Sequence, residues 1–156
     1  MKRYEKTRNS TNVKGETMSV GSGDWIERED VEQLGLAGEA LARAYLEQKG
    51  WSIEAQNVRS RYGELDLVAC KARPGEDPIV AFVEVKSRRR CDRFSPTLAV
   101  SYRKRRTIAR LAHRYICQRR RTGVRYRFDV ITVDFGKRPA AIVHIEGAFD
   151  AQGNTC

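Results

Sequence analysis

Three ionisable residues interrupt two otherwise apolar stretches of the chain. Asp66 lies in Gly63-Glu64-Leu65-Asp66-Leu67-Val68-Ala69-Cys70, and Glu84 and Lys86 lie in the Val-rich run Ile79–Ser87. Both stretches read as β-strands, and the second, apolar on nearly every position, reads as a strand buried on both faces. Side chains alternate along a strand, so Glu64 and Asp66 are predicted to share one face, and Phe82, Glu84 and Lys86 to share one face of the next strand. A hairpin through residues 71–78, which contain Pro-Gly-Glu-Asp-Pro, makes the two strands antiparallel neighbours and brings Asp66, Glu84 and Lys86 together near its open end. Burying such groups costs several kcal/mol unless they pair or bind something. Two carboxylates on rigid strands suit Mg²⁺, which needs only one or two carboxylates beside water and phosphate. A metal so held supports hydrolysis of a phosphodiester, and an adjacent lysine can orient water or stabilise the pentacovalent state. The structural alternative is a Glu84–Lys86 or Asp66–Lys86 ion pair without catalysis, and the residues alone leave the two readings level.

The elements that position these groups follow from periodicity. Leu34, Ala37, Leu41, Ala44 and Tyr45 recur at helical spacing between about Asp30 and Lys49, and Gly50 closes that helix. A short strand runs from Trp51 towards Asn57, a residue more often found in turns. After the two central strands, a second helix is predicted from about Leu98 or Ser101 to Arg121, with Ile108, Leu111, Ala112 and Tyr115 as its core face. Arg103, Arg106, Arg110, Arg114 and Arg121 line another face, and Gly123 breaks the helix. Strands at Arg127–Phe135 and Ala141–Phe149 complete an α-β-β-β-α-β-β order, an α/β or α+β sandwich around a small mixed sheet of about five strands. Residues 1–23 are polar and aperiodic and read as a disordered tail, 24–150 as one domain, and 151–156 as a frayed end.

Charge points to the partner. The net charge is +10, yet residues 1–30 carry six basic and six acidic side chains. From Lys86 to Arg127 there are sixteen Lys/Arg and one acid, Asp92. A polyanion, nucleic acid above all, is the first explanation of such a block. An anionic membrane surface is disfavoured, because the basic stretch lacks the Trp/Phe/Leu-rich face of interfacial helices. No apolar run reaches the roughly 18 residues of a membrane span, and the N-terminus has no signal-peptide core. The four scattered cysteines form no CxxC, and His113 and His144 show no ligand spacing. Zinc is thereby disfavoured, and reduced thiols in the cytoplasm are expected.

Several motifs in this order also carry a family likeness: Gly38-Glu39-x4-Ala44-Tyr45-Leu46, Asn57, Gly63-Glu64-Leu65-Asp66-Leu67-Val68, Phe82-Val83-Glu84-Val85-Lys86-Ser87-Arg88, Lys104 and Arg127-Phe128-Asp129-Val130. From roughly Leu36 to Ile145 the chain resembles the YraN-like family of bacterial proteins, which is grouped with archaeal Holliday junction resolvases and other PD-(D/E)xK nucleases. The resemblance implies a restriction-endonuclease-like core, Asp66 as the "D", Glu84-x-Lys86 as the "ExK", and Mg²⁺ (or Mn²⁺) as cofactor. In the resolvases a glutamate on the first helix also reaches the metal, and Glu39 occupies the matching place. Those relatives act as dimers, so a homodimer joins the expectations. Leu65 replaces the proline before Asp66, and Phe94-Ser95 stands where the family usually has an aromatic-Gly pair.

Taken together, the expectation is a Mg²⁺-dependent nuclease-like protein acting on DNA, with branched DNA one candidate and junction, flap, single strand and RNA all left open by the sequence. Asp66, Glu84, Lys86 and Glu39 are its catalytic group, with Asp66 and Glu84 on the metal and Glu64 backing them. Arg88, Arg103, Lys104, Arg106, Arg110 and Arg114 are the candidate phosphate contacts. Asp129 interrupts an apolar strand and calls for a partner such as arginine, a structural role. The competing class is a nucleic-acid-binding module that keeps the fold without turnover; it has less need of acids beside phosphates.

Overall fold

The computed structural model describes residues 23–89 and 100–156. The tail expected over residues 1–23 therefore lies, except for Gly23, outside the described residues, as does Phe94-Ser95. Seven elements follow in chain order: α1 (Gly23–Gln48), β1 (Ser52–Ser60), β2 (Gly63–Arg73), β3 (Glu76–Arg88), α2 (Tyr102–Arg119), β4 (Arg125–Asp134) and β5 (Ala141–Phe149). The predicted order holds. The strands form one mixed sheet in the order β1-β2-β3-β4-β5. All neighbours are antiparallel except β3 and β4, which are parallel and joined by the crossover helix α2. The turn between β2 and β3 is shorter than expected. Arg73 still pairs with Glu76, so Pro74-Gly75 alone turns the chain and the ladder runs through Lys71 and Glu76.

The sheet buries an apolar cluster on each face. Under α2 lie Leu65, Val68, Val80, Phe82 and Val130 with Ile108, Leu111, Ala112 and Tyr115, the helix face the sequence marked. Under α1 lie Leu67, Ala69, Ala81, Val83, Val85, Ile131 and Val133 with Ala42, Leu46 and Trp51.

Here the predicted face of α1 is out of phase. Ala42 and Leu46 are fully buried, whereas Leu41 is exposed, as are Ala37 and Ala44. The contact turns on Gly38, which is buried: a Cβ there would stand 1.7 Å from Ser87 Oγ of β3. A glycine contributes nothing to an apolar count, so the true stripe, 38-42-45/46, was hidden by its closest-packed member.

Both helices end by left-handed residues. Gly50 (φ +82°) follows α1 as expected, but α2 stops at Arg119 with Arg120 at φ +48°, before Gly123 is reached. Ser101 caps the start of α2, its hydroxyl accepting the Lys104 N–H at 3.3 Å. The C-terminal residues make contacts with the rest of the fold. Thr155 bridges to Phe149, Cys156 N–H donates to Ala148 O, and Arg105 Nε donates to Gly153 O at 2.7 Å.

Candidate active site at the parting of two strands

The hairpin of β2 and β3 is paired from Arg73–Glu76 as far as Leu67–Val83. One step beyond, Asp66 comes level with Glu84, and there the strands part. The Val85 N–H donates to Asp66 Oδ2 at 2.7 Å, a backbone donor answered by a side chain. Strand alternation breaks at the same residue. Leu65 packs in the cluster under α2 and Leu67 in the cluster under α1, although residues two apart should share a face. The expected common face of Glu64 and Asp66 is thus not a regular strand face.

The matching irregularity in β1 is Asn57. Gln56 pairs with Leu67 and Val58 with Leu65, so Asn57 stands level with Asp66, in a left-handed conformation at φ +52°. It is inside the strand, not in a turn at its end. With its amide nitrogen turned towards the acids, Asn57 donates to Glu39 Oε2 at 2.9 Å and Glu64 Oε1 at 3.2 Å. Asparagine tolerates positive φ better than most residues, which was the one signal available in the sequence.

Glu84 is 1% exposed. Lys86 Nζ lies 2.7 Å from its Oε1, and Lys104 Nζ lies 3.1 Å from its Oε2. Oε2 is nevertheless fully buried and accepts no hydrogen bond; the Lys104 contact is an ion pair off the hydrogen-bonding direction. Lys104 also donates to Glu64 O at 3.2 Å, so this lysine turns inward from α2, away from the arginine stripe with which it was grouped. Burial, then the neighbouring Glu84 carboxylate, pushes Asp66 up to about 7, against the opposing pull of the Val85 N–H and Lys104. Glu39 is raised in the same sense, by burial first and then by Glu64 and Glu84, while the Asn57 amide opposes. Asp66, Glu84, Lys86, Glu39, Glu64 and Lys104 are therefore one electrostatic cluster, joined by Asn57 and by Arg59, which meets Glu64 Oε1 at 3.2 Å.

This geometry is built almost wholly by residues 38–104, and the family comparison coincides with it. The model of the uncharacterised protein family UPF0102 matches residues 38–133, from Gly38-Glu39 through β4. The chain belongs to UPF0102. This is the family to which the YraN-like motifs pointed. A UPF0102 protein of Myxococcus xanthus is 40% identical over 119 residues, covering 76% of this chain and 90% of the relative. One of Syntrophotalea carbinolica is 41% identical over 120 residues, 77% and 94% of the two chains. One of Nocardia farcinica is 41% identical over 122 residues, 77% and 91%. The UPF0102 match leaves out β5 and the C-terminal turn.

The remaining candidate residues lie elsewhere. Arg103, Arg106, Arg110 and Arg114 are exposed on α2; Arg106 Nη1 reaches Gln152 O at 3.4 Å, and Arg110 lies 5.1 Å from the Tyr62 ring centroid. Arg121, outside α2, leaves this stripe and pairs with Glu54 Oε1 at 2.6 Å. Arg88 is half-buried at the end of β3. Asp129 is fully buried, and Arg127 meets both its oxygens, at 2.8 and 3.0 Å, as its place in an apolar strand required. His144 also joins Asp129: its Nε2 lies 2.8 Å from Asp129 Oδ2, and its ring meets Tyr45 and Trp51 edge-on. No helix among the described residues is long and apolar enough to cross a membrane.

Among the described residues no three His, Cys, Asp or Glu side chains are grouped as a metal cage. Two hard carboxylates, one with a buried oxygen lacking any hydrogen bond, nonetheless fit an ion that draws its other ligands from water and phosphate.

Proposed function

We propose that this protein is a metal-dependent nuclease of the PD-(D/E)xK kind, hydrolysing phosphodiesters in DNA, with branched DNA its expected substrate. The observation that carries the reading is the buried Glu84 carboxylate level with Asp66 where β2 and β3 part, with the Lys86 ammonium 2.7 Å away. Buried acids facing one another raise Asp66 towards neutrality, a condition relieved by a cation. Asp66 and Glu84 would hold Mg²⁺ or Mn²⁺, whose part is to activate water and neutralise charge on the scissile phosphate.

The protein's own groups do the rest. The Val85 N–H holds Asp66 in place. Lys104, anchored on Glu64 O, keeps Glu84 oriented from the other side. Lys86 is 36% exposed and can turn from Glu84 towards a phosphate oxygen, where its charge stabilises the pentacovalent state. Glu39, joined to Glu64 through Asn57, adds negative charge from α1. The exposed arginines of α2 with Arg88 would take DNA phosphates. In this reading the protein acts in the cytoplasm, as a homodimer like the resolvases it resembles.

A second reading has its own observation. Glu84 already has two ammonium partners, so the site is neutralised without a cation. A nucleic-acid-binding module without turnover would look the same. A cleavage panel with Mg²⁺ or Mn²⁺ over duplex, flap, junction and single-stranded DNA separates the two. Cleavage by the wild type that disappears in Glu84→Ala supports the nuclease; no cleavage of any member supports the module.

A further inference from the structure

A groove runs beside the carboxylate cluster, between the end of β1 and the middle of α2. Its floor is apolar, made by Val58 and Leu111, and its walls carry Arg59, Arg61, Arg114 and Gln118. Its volume is about 450 Å³, within the roughly 300–1,000 Å³ that small ligands occupy. Arg59 links the groove to the site: it lines the groove and meets Glu64, itself bound to Asn57 and Lys104. At the far end Tyr115 donates to Glu54 Oε2 at 2.9 Å and closes it.

The turn between β1 and β2 adjoins this groove through Ser60 and Arg61. Tyr62 there is 42% exposed. The Arg61 and Arg110 guanidiniums lie 4.7 and 5.1 Å from its ring centroid, and Arg61 also donates to its hydroxyl. Gly63 fixes the turn against α2: at φ +140° it accommodates Thr107 where a Cβ would stand 2.7 Å from Thr107 Cγ2. Three wall arginines, an apolar floor and an exposed aromatic ring are the chemistry of a single nucleic-acid strand, with phosphates on the arginines and bases on apolar or aromatic faces. A duplex keeps its bases stacked inside and offers phosphates and groove edges, not base faces, to such a surface.

We propose that this groove, with Tyr62 held beside it by Arg61, binds an unpaired DNA strand leaving the cleavage site. The substrate is then DNA with a single-stranded arm. This inference rests on the nuclease reading for its position beside the site, but not for its test.

The test is binding by the full chain in EDTA, where no cleavage enters, to a fluorescein-labelled 15-nucleotide single strand and to a 15-base-pair duplex. Tyr62→Ala and Arg61→Gln change exposed side chains. Each is expected to weaken single-strand binding about tenfold and duplex binding less than about twofold. A 2-aminopurine base in the strand is expected to lose fluorescence on binding the wild type and to keep it with Tyr62→Ala. Single-strand and duplex affinities that fall together, or a wild type that binds duplex alone, would overturn the assignment. Absence of Mg²⁺-dependent cleavage would sink the nuclease reading and leave this binding result unchanged, so the two failures are distinguishable.

Discussion

The Val85 N–H donates to Asp66 Oδ2 at 2.7 Å, at the point where β2 leaves β3. The bond makes the parting of the strands part of the site, because the acid takes over a donor that the neighbouring strand no longer answers. It also confines a carboxylate beside Glu84, and that confinement has a pH signature.

Asp66 is pushed up to about 7 from an ordinary 3.8, by burial first and Glu84 second. In the unfolded chain it ionises near 4, so between about pH 4 and pH 7 the unfolded state holds fewer protons than the folded one. Stability therefore falls as pH rises through that window. In EDTA, Asp66→Asn is expected to be more stable than wild type above pH 7, by up to about 4 kcal/mol. The difference should vanish below pH 4. Denaturant midpoints at pH 4, 6 and 8 measure it, and equal midpoints for both proteins at pH 8 would show that Asp66 is not held at a cost.

Gly38 lets α1 lie on β3 and so sets the position of Glu39. Gly38→Ala places a Cβ 1.7 Å from Ser87 Oγ and should destabilise the fold by about 1–3 kcal/mol. Gly38→Ala/Ser87→Gly is expected to recover part of that loss. A double-mutant cycle by chemical denaturation reads the coupling, and strict additivity would mean the helix yields elsewhere.

Asp129 tests a different kind of burial. Arg127 meets it with two hydrogen bonds, His144 with one, and the Gly147 N–H with another at 2.9 Å. Arg127→Met strands a fully buried carboxylate and should cost about 3–5 kcal/mol. Arg127→Met/Asp129→Asn should be more stable than Arg127→Met alone. Thermal melts of the two variants decide, and the reverse order would show that His144 and the Gly147 N–H suffice for the Asp129 carboxylate.

DNA affinity should depend on the α2 arginines. Replacing Arg103, Arg106, Arg110 and Arg114 by Gln is expected to flatten log K against log salt by roughly 0.9 per lost duplex-phosphate contact. An unchanged slope would move the duplex surface to another face. Arg121 is left out of the set because Glu54 holds it.

Much of this site was legible because its central residues break strong patterns. Glu84 and Lys86 share a strand face in a run too apolar to be anything but buried, and the Pro74-Gly75 turn fixes the hairpin that brings Asp66 level with them. The core face of α2 stood out because its other side is so basic. What failed did so at irregularities. Period-two alternation could not foresee that Leu65 and Leu67 pack on opposite faces, nor that Asn57 turns left-handed inside β1 to meet Glu39 and Glu64. The phase of α1 was lost because its closest contact is a glycine. Helical spacing alone sets Lys104 about 100° from Arg103 and on the side of Ile108 and Leu111, but its partners Glu64 O and Glu84 follow only from the placement of α2 against β2.

Asp66 and Glu84 are proposed to form a divalent-cation site. The direct measurement is calorimetric titration of Mn²⁺ and Mg²⁺ into wild type and Asp66→Asn/Glu84→Gln at pH 8, where Asp66 is ionised, alongside melting curves and DNA binding in EDTA. Wild type is expected to take up the cation. The double variant should remain folded, take up none, and bind DNA without metal at least as tightly, because two charges that repel phosphate are gone. A wild type that takes up no cation, together with a double variant that unfolds, would contradict the claim and leave Glu84 with Lys86 and Lys104 as a structural ion-pair cluster.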